Sequence, residues 1–522
     1  MKRWILLALL ALLAICVLVA AGLAIAYTGG VFSPTETIAI LHTNDFHGSM
    51  EGEKITVGGK SFVNGGSAYL AGFIDGFRRE YGGRVLVLDA GDIWQGTFPS
   101  NQDKGQTVIA CMNLAGYDAA AAGNHDFDFG WEVLRDRAAE ARFPFLAANL
   151  VEEATGKTPP YLKPYTIKTV AGVRFGIIGL TYPSAAIIKA SAVQGLQFSS
   201  GTEAVRKYLP EVRQQSDVVI VLSHLGLASS YPGQDGDTEL AMAVPGIDVI
   251  VGGHSHVELR NARRVGEAII VQAGSKGKYL GRLELTIDKK TKKIVSAKTQ
   301  DELVAVVSTK TTPNAAVAQI VKKRLDEAGV IMRRPIGESL VDMTESCYAG
   351  ECPLGNLIVD AMRAANQAGD RPADIAMHNN AGVRSQIYKG PINYGQLYLV
   401  LPFDNVLTAV DLSGAQVLLI LEKAVSGRPG NMLVSGLTYE FDQTKPIGER
   451  ILKVTVGGQP LDPNKVYRVQ TIDYLASGGD GQTTFTEGKN PVYGDPTVDV
   501  VAEYIRTHSP VSPKVEGRIV GK

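Results

Sequence analysis

Asp45-Phe46-His47, Gly91-Asp92, Asn124-His125-Asp126-Phe127-Asp128, Ser223-His224 and His254-Ser255-His256 set Asp, Asn and His beside or near glycine at five places in the chain. Extended residues i and i+2 project to one side, so Asp45-x-His47 and His254-x-His256 suit metal ligation. The glycines let the backbone turn sharply and approach a ligand. Asp45, His47, Asp92, Asn124, His224, His254 and His256 are too many donors for one zinc, which takes about four protein ligands. They suit two ions about 3.5–4 Å apart bridged by one carboxylate, and Asp92 is the natural bridge. Nitrogen and oxygen donors without Cys suit Zn²⁺, Mn²⁺, Co²⁺ or Fe rather than Ca²⁺ or Mg²⁺. A single D-x-H or H-x-H is a weak signal that surface turns also produce. Five in order, using five of the chain's 8 His, form a pattern.

These residues follow short Val- and Ile-rich runs that read as buried strands: Ile38–Leu41, Val85–Leu88, Phe175–Ile178, Val218–Val221 and Val249–Val251. Helical patterns fall between them at Ala68–Tyr81, Thr107–Ala115 and Trp131–Ala141. Strands alternating with helices predict an α/β domain, and the carboxyl ends of its strands share the edge where ligands bind. A helix expected over Asn314–Ala328, stopped by Gly329, connects this domain to a second, mixed one. That one carries helices at Leu354–Asn366 and Gly414–Ala424 and strands at Ile451–Val456 and Tyr467–Thr471. The expected division is 35–305 for the catalytic domain, 306–334 for the linker helix and 335–522 for the second domain.

Thr43-Asn44-Asp45-Phe46-His47-Gly48, Gly91-Asp92, Gly123-Asn124-His125-Asp126-Phe127-Asp128, Ser223-His224-Leu225-Gly226 and Gly253-His254-Ser255-His256 resemble the signature of the calcineurin-like metallophosphoesterases in its 5′-nucleotidase version. The resemblance implies a four-layer αββα domain with a dinuclear metal site. By matching positions, Asp45, His47, Asp92 and His256 would hold one ion, and Asp92, Asn124, His224 and His254 the other. The implied reaction is phosphoester hydrolysis by a hydroxide that the two ions activate. His125 would stabilise charge on the phosphoryl group or leaving oxygen, and Asp128 would orient it. The plainer reading of Asp128 is an N-cap before Phe129-Gly130-Trp131, and it could serve both roles.

The resemblance extends into the second domain. His378-Asn379-Asn380-Ala381-Gly382-Val383-Arg384 is similar to the family's N-G-G-G-[IV]-R segment, with two glycines replaced by Asn380 and Ala381. Leu401-Pro402-Phe403 and Tyr474-Leu475-Ala476-Ser477-Gly478-Gly479-Asp480-Gly481 resemble the two segments that hold the nucleoside. Phe403 and Tyr474 would then clamp the base, Asp480 would accept from ribose hydroxyls, Asn379 would touch the base and Arg384 would meet phosphate. Read alone, the two aromatics are ordinary core residues and the Gly-rich segment is a turn. Tyr348 stands where some family members carry Arg, which bears on phosphate preference. In the family a large domain rotation carries substrate to the metals.

The implied activity is hydrolysis of nucleoside 5′-phosphates, and by extension of di- and triphosphates or UDP-sugars. A 2′,3′-cyclic-nucleotide phosphodiesterase/3′-nucleotidase is the near alternative; those relatives usually have Asn where Asp128 stands. A non-catalytic nucleotide-binding protein is the alternative of another class, for which a full ligand set and His125 would be superfluous.

With 522 residues the chain is too long for one core. Lys+Arg 52 against Asp+Glu 53 leaves a formal net charge of −1, which argues against a nucleic-acid polymer as partner. Lys2 and Arg3 precede an apolar run, Trp4–Ala26, so residues 1–30 read as an export signal, with Ala24-Ile25-Ala26 as a cleavage site. The run is also long enough for an uncleaved anchor, the chain's one expected membrane contact. Export to a periplasmic, cell-surface or extracellular compartment permits disulfides. Cys347 and Cys352 are placed for a short-loop bridge, and Cys111, in an apolar stretch, reads as a core residue.

Overall fold

The computed structural model describes residues 12–20, 35–57, 59–183, 190–229, 235–344, 346–347, 350–365, 367, 369–403, 405–426 and 432–522. The expected cleavage site, most of the N-terminal apolar run and Tyr348 lie outside them. Residues 12–20 are helical. Among the described residues, no helix is long and apolar enough to cross a membrane.

Two sheets form the centre of the first domain. One runs Ile294–Lys298, Tyr279–Asp288, Thr35–Thr43, Val85–Asp89, Ala119–Ala121, Phe145–Leu146 in spatial order, with Leu303–Ala305 beside Tyr279–Asp288. The other runs Arg263–Val265, Ala268–Val271, Val249–Gly252, Val218–Ser223, Val173–Leu180, Tyr165–Val170. Side-chain alternation along each strand builds the layers. Ile38, Ile40, Leu86 and Leu88 meet Phe175, Ile177, Val218 and Ile220 between the sheets. Ala39, Leu41, Val85 and Val87 face the other way, into a cluster with the helices Ser67–Glu80 and Gln106–Ala115. Ile178, Val219, Val221 and Ile250 do the same for Gly201–Gln215 and Asp237–Ala243. Strands buried on both faces explain the near-continuous apolar runs. The result is the four-layer αββα architecture.

Thr35–Thr43, Val85–Asp89 and Ala119–Ala121 are parallel, as are Val173–Leu180, Val218–Ser223 and Val249–Gly252. Parallel pairing puts the carboxyl ends of each set on one edge.

The connecting helix runs Ala315–Met332, capped by the Asn314 side chain, which accepts from the Val317 N–H at 3.1 Å. Gly329 does not stop it: that glycine lies inside the helix, which continues for three more residues. Its Val317 and Val321 pack in the first domain's helix-side cluster, so most of the helix is part of that domain's outer layer. The second domain has a five-stranded sheet, Met432–Ser435, Ile375–Asn379, Val466–Ile472, Val406–Ser413, Lys489–Pro496. Helices Pro353–Ala364, Gly414–Ser426 and Thr497–His508 share its core. Cys347 and Cys352 are joined by a disulfide, and Cys111 is buried.

Candidate metal centre

The predicted ligands converge where the two sheet edges meet. Two groups form, Asp45 with His47 and His256, and Asp92 with His224 and His254; within each, one donor atom per residue lies within 4.8 Å of the others. Asp92 joins them. Its Oδ2 is 3.1 Å from His224 Nε2 and 3.8 Å from His47 Nε2. Its Oδ1 accepts the backbone N–H of His125 at 2.8 Å. Asn124 sits against the second group, its Oδ1 2.9 Å from His254 Nδ1.

Backbone strain is concentrated at these positions. Asp45 (φ 49°), His47 (49°), Asp92 (57°), His254 (69°) and His256 (54°) all adopt the left-handed region. For residues with a side chain this costs of order 1–3 kcal/mol each, and it persists only where surrounding contacts enforce it. Those contacts are backbone bonds between loops. Asp45 donates its N–H to Gly91 O at 2.8 Å, and His47 donates to Asp92 O at 2.9 Å. His254 donates its N–H to the Asp45 carboxylate at 3.0 Å.

Three of the imidazoles are oriented from behind, which for His47 and His224 leaves the second nitrogen facing the centre. His47 Nδ1 is 2.9 Å from Gln95 O, and His224 Nδ1 is 2.6 Å from Ala90 O. The His254 ring stacks on buried Tyr182, centroids 4.1 Å apart.

The donors fit a pair of cations. His224 Nε2 is fully buried and faces two carboxylates, Asp92 Oδ2 at 3.1 Å and Asp45 Oδ1 at 3.9 Å. His47 Nε2 points at His256 Nε2 across 3.2 Å, and His256 Nε2 lies 3.2 Å from Asp45 Oδ1. Buried acceptors and imidazole nitrogens crowded this closely need positive charge among them. Protonation alone supplies it unevenly. Burial lowers the His254 imidazole to about 4, aided by the neighbouring His224. Burial also opposes a charge on His224, but Asp92 outweighs it and raises His224 to about 10.

His125 stands beside this centre. Its Nδ1 is 2.8 Å from Asp128 Oδ2. Burial opposes a proton there, yet Asp92 and then Asp128 prevail and raise the imidazole to about 9. Asp128 does not N-cap the helix that follows it. The helix Trp131–Glu140 follows Gly130 and has no side-chain cap, so the expected alternative role is absent.

Three positioning residues had no role assigned from sequence. Buried Asp126 accepts backbone N–H groups of Asp92 (3.0 Å), Ile93 (2.8 Å) and Gly123 (2.8 Å), tying two strand-end loops together. Asn44 Nδ2 donates to Asp45 Oδ2 and to Gly274 O, both at 2.6 Å. Both lie inside motifs already singled out, where their neighbours' chemistry was the signal. Tyr182 lies remote in sequence and carried none.

The second-domain candidates form two clusters. Asp480, also left-handed (φ 54°), accepts from Asn379 Nδ2 at 2.7 Å and from the Tyr474 hydroxyl at 2.9 Å. The Arg384 guanidinium lies 5.9 Å from the Phe403 ring centroid. Phe403 and Tyr474 are 44% and 43% exposed, so neither is the ordinary core aromatic that its residue type suggests.

Residues 38–258 match the calcineurin-like phosphoesterases, and residues 335–487 match the 5′-nucleotidase C-terminal domain. A 5′-nucleotidase of Diplobatis ommata is 31% identical over 92% of this chain and 89% of its own length. Endonuclease YhcR of Bacillus subtilis is also 31% identical over 92% of the chain, but the chain spans only 41% of that protein. A crystal structure of a 5′-nucleotidase precursor from Thermus thermophilus is 33% identical, covers 93% of this chain and 99% of its own, and superposes with a TM-score of 0.66. The chain belongs to the 5′-nucleotidase family and is a metallophosphoesterase with two candidate metal-binding groups.

Proposed function

We propose that this protein is an exported 5′-nucleotidase that hydrolyses nucleoside 5′-phosphates to nucleoside and phosphate. The observation that carries the reading is Asp92 between the two ligand groups, with the His125–Asp128 pair beside it. Asp45, His47, Asp92 and His256 would hold one divalent cation, and Asp92, Asn124, His224 and His254 the other; the donor set favours Zn²⁺, Mn²⁺, Co²⁺ or Fe. Such a pair supplies a hydroxide near neutral pH and neutralises phosphate oxygens.

The chain's own residues supply the rest. Asp128 accepts from His125 Nδ1 and so fixes the ring, leaving Nε2 to donate to the phosphoryl oxygen or to the departing ribose 5′ oxygen. The phosphorus–ribose oxygen bond breaks, the oxygen of water bonds to phosphorus, and its proton balances the leaving oxygen. Phe403 and Tyr474 are exposed aromatic faces suited to stacking a base, a contact that tolerates different bases. Asp480 would accept from ribose hydroxyls, and Arg384 offers a planar fork to phosphate. Export rests on the basic-apolar N-terminus and fits the presence of a disulfide.

The test is product analysis with 5′-AMP, 3′-AMP, 2′,3′-cyclic AMP, UDP-glucose and a polynucleotide, with and without chelator. Chelator-sensitive release of phosphate from 5′-AMP above the others is the expected result. Preference for 3′-AMP or the cyclic nucleotide would replace the reading by the 3′-nucleotidase one, and chelator-insensitive turnover would remove the two-metal mechanism.

A further inference from the structure

The loop that orients His47 also carries the contact between the two domains. Gln95 O faces His47 Nδ1, and three residues later Phe98, only 5% exposed, sits among hydrophobic residues of the second domain. Its ring lies 4.8 Å from Tyr398 and 5.8 Å from Tyr394, centroid to centroid. Asn101 closes the connection. Its Nδ2 donates to the Tyr398 hydroxyl at 3.2 Å, while its Oδ1 accepts the Gly96 N–H at 2.9 Å.

The segment between is short and cross-braced. Thr97 Oγ1 donates to Gly48 O at 2.6 Å, and Ser100 Oγ to Trp94 O at 2.6 Å. Gly96, at φ 149°, packs so closely that a Cβ there would lie 2.7 Å from His47 O. The connecting helix grips the same loop, with Arg324 Nε donating to Pro99 O at 2.7 Å. A shift of the second domain against Phe98 and Asn101 therefore reaches Gln95 O through rigid, hydrogen-bonded backbone.

We propose that Asn101 and Tyr398 are positioning residues for His47, so that the contact between the domains sets how firmly the Asp45–His47–His256 group holds its cation. This rests on the metal-centre reading above. An imidazole held at Nδ1 by a carbonyl presents Nε2 in a fixed direction, and loss of such outer contacts weakens metal binding.

The experiment follows release of Zn²⁺ from the zinc-loaded full chain into a chromogenic chelator. Tyr398→Phe removes one hydroxyl while keeping the ring packed on Phe98. It should speed release of one of two zinc equivalents about 2- to 10-fold, the worth of one hydrogen bond, and leave the other unchanged. Asn101→Ala, which also loses the Gly96 contact, should speed release of the same equivalent at least as much, and the double variant should add little to that larger single effect. Tyr394→Phe is the control, because the Tyr394 hydroxyl donates to Asp499 of its own domain at 2.7 Å. It should leave both equivalents unchanged. Unaltered release in Tyr398→Phe and Asn101→Ala overturns the proposal, as does equal acceleration in Tyr394→Phe, which would mean general loosening. Failure of the unsubstituted protein to bind two zinc equivalents would instead overturn the metal-centre reading.

Discussion

Asp128→Ala tests the proposed catalytic role of His125 separately from the integrity of the metal centre. Asp128 is outside both ligand groups, and its carboxylate is held 2.8 Å from His125 Nδ1. Removing it leaves the ring without its orienting acceptor. A hydrogen bond to a charged group contributes roughly 1.5–3 kcal/mol. The His125 side chain is 35% exposed, so water replaces part of that and the lower half of the range applies. About 1.5–2 kcal/mol corresponds to a 10- to 30-fold fall in kcat. Asp128→Asn keeps an acceptor without the charge and should recover part of the loss. KM for 5′-AMP should change little, because orientation matters most as charge develops on the leaving oxygen. The assay is steady-state phosphate release, with metal content of each variant measured by elemental analysis. An unchanged kcat in Asp128→Ala with two metals bound would refute the assignment. Loss of metal would refute it differently, by making Asp128 part of the metal support.

His224→Ala removes a fully buried candidate ligand that lies 3.1 Å from Asp92. It should abolish turnover and drop bound metal from two equivalents to one or none by elemental analysis. Phe403→Ala and Tyr474→Ala should each raise KM for 5′-AMP about 5- to 160-fold, as expected for ~1–3 kcal/mol of base stacking, with a smaller effect on kcat; unchanged KM in both would remove the proposed base clamp. Glu302 is 1% exposed, and burial raises its carboxyl to about 8. A folded pKa raised above the unfolded value of about 4.5 means stability is fullest below that pH and is lost as pH rises through 8. Glu302→Gln should therefore stabilise the fold at pH 8, by up to roughly 4–5 kcal/mol, and hardly at pH 5, read as melting temperature; equal shifts at both pH values would show that Glu302 does not titrate there.

Much of the centre was legible in the sequence because its chemistry is local. Asp45-x-His47 and His254-x-His256 announce ligands by residue type and spacing, and the apolar runs before them announce strands whose ends must share an edge. The runs could be read because strands buried on both faces have little room for polar residues. Gly329 misled for the converse reason. Glycine marks a helix end only as a local preference, and the helix Ala315–Met332 is held by packing of Val317 and Val321 on the first domain.

Residue types and their order determined which side chains could bind metal, that two ions rather than one were implied, and that a second domain carried an Asp in a Gly-rich turn; the exposure of Phe403 and Tyr474 came from the fold. Tertiary structure alone decided how closely those donors approach one another and Asp92. It also decided which loops force them into left-handed backbone, that Asp128 serves His125 instead of a helix end, and that Phe98 and Asn101 tie the His47 loop to the other domain. The physical reason is range. Side-chain chemistry and periodicity act over a few residues, whereas most contacts that orient the site join segments from tens to nearly three hundred residues apart. Only the packed fold brings those together.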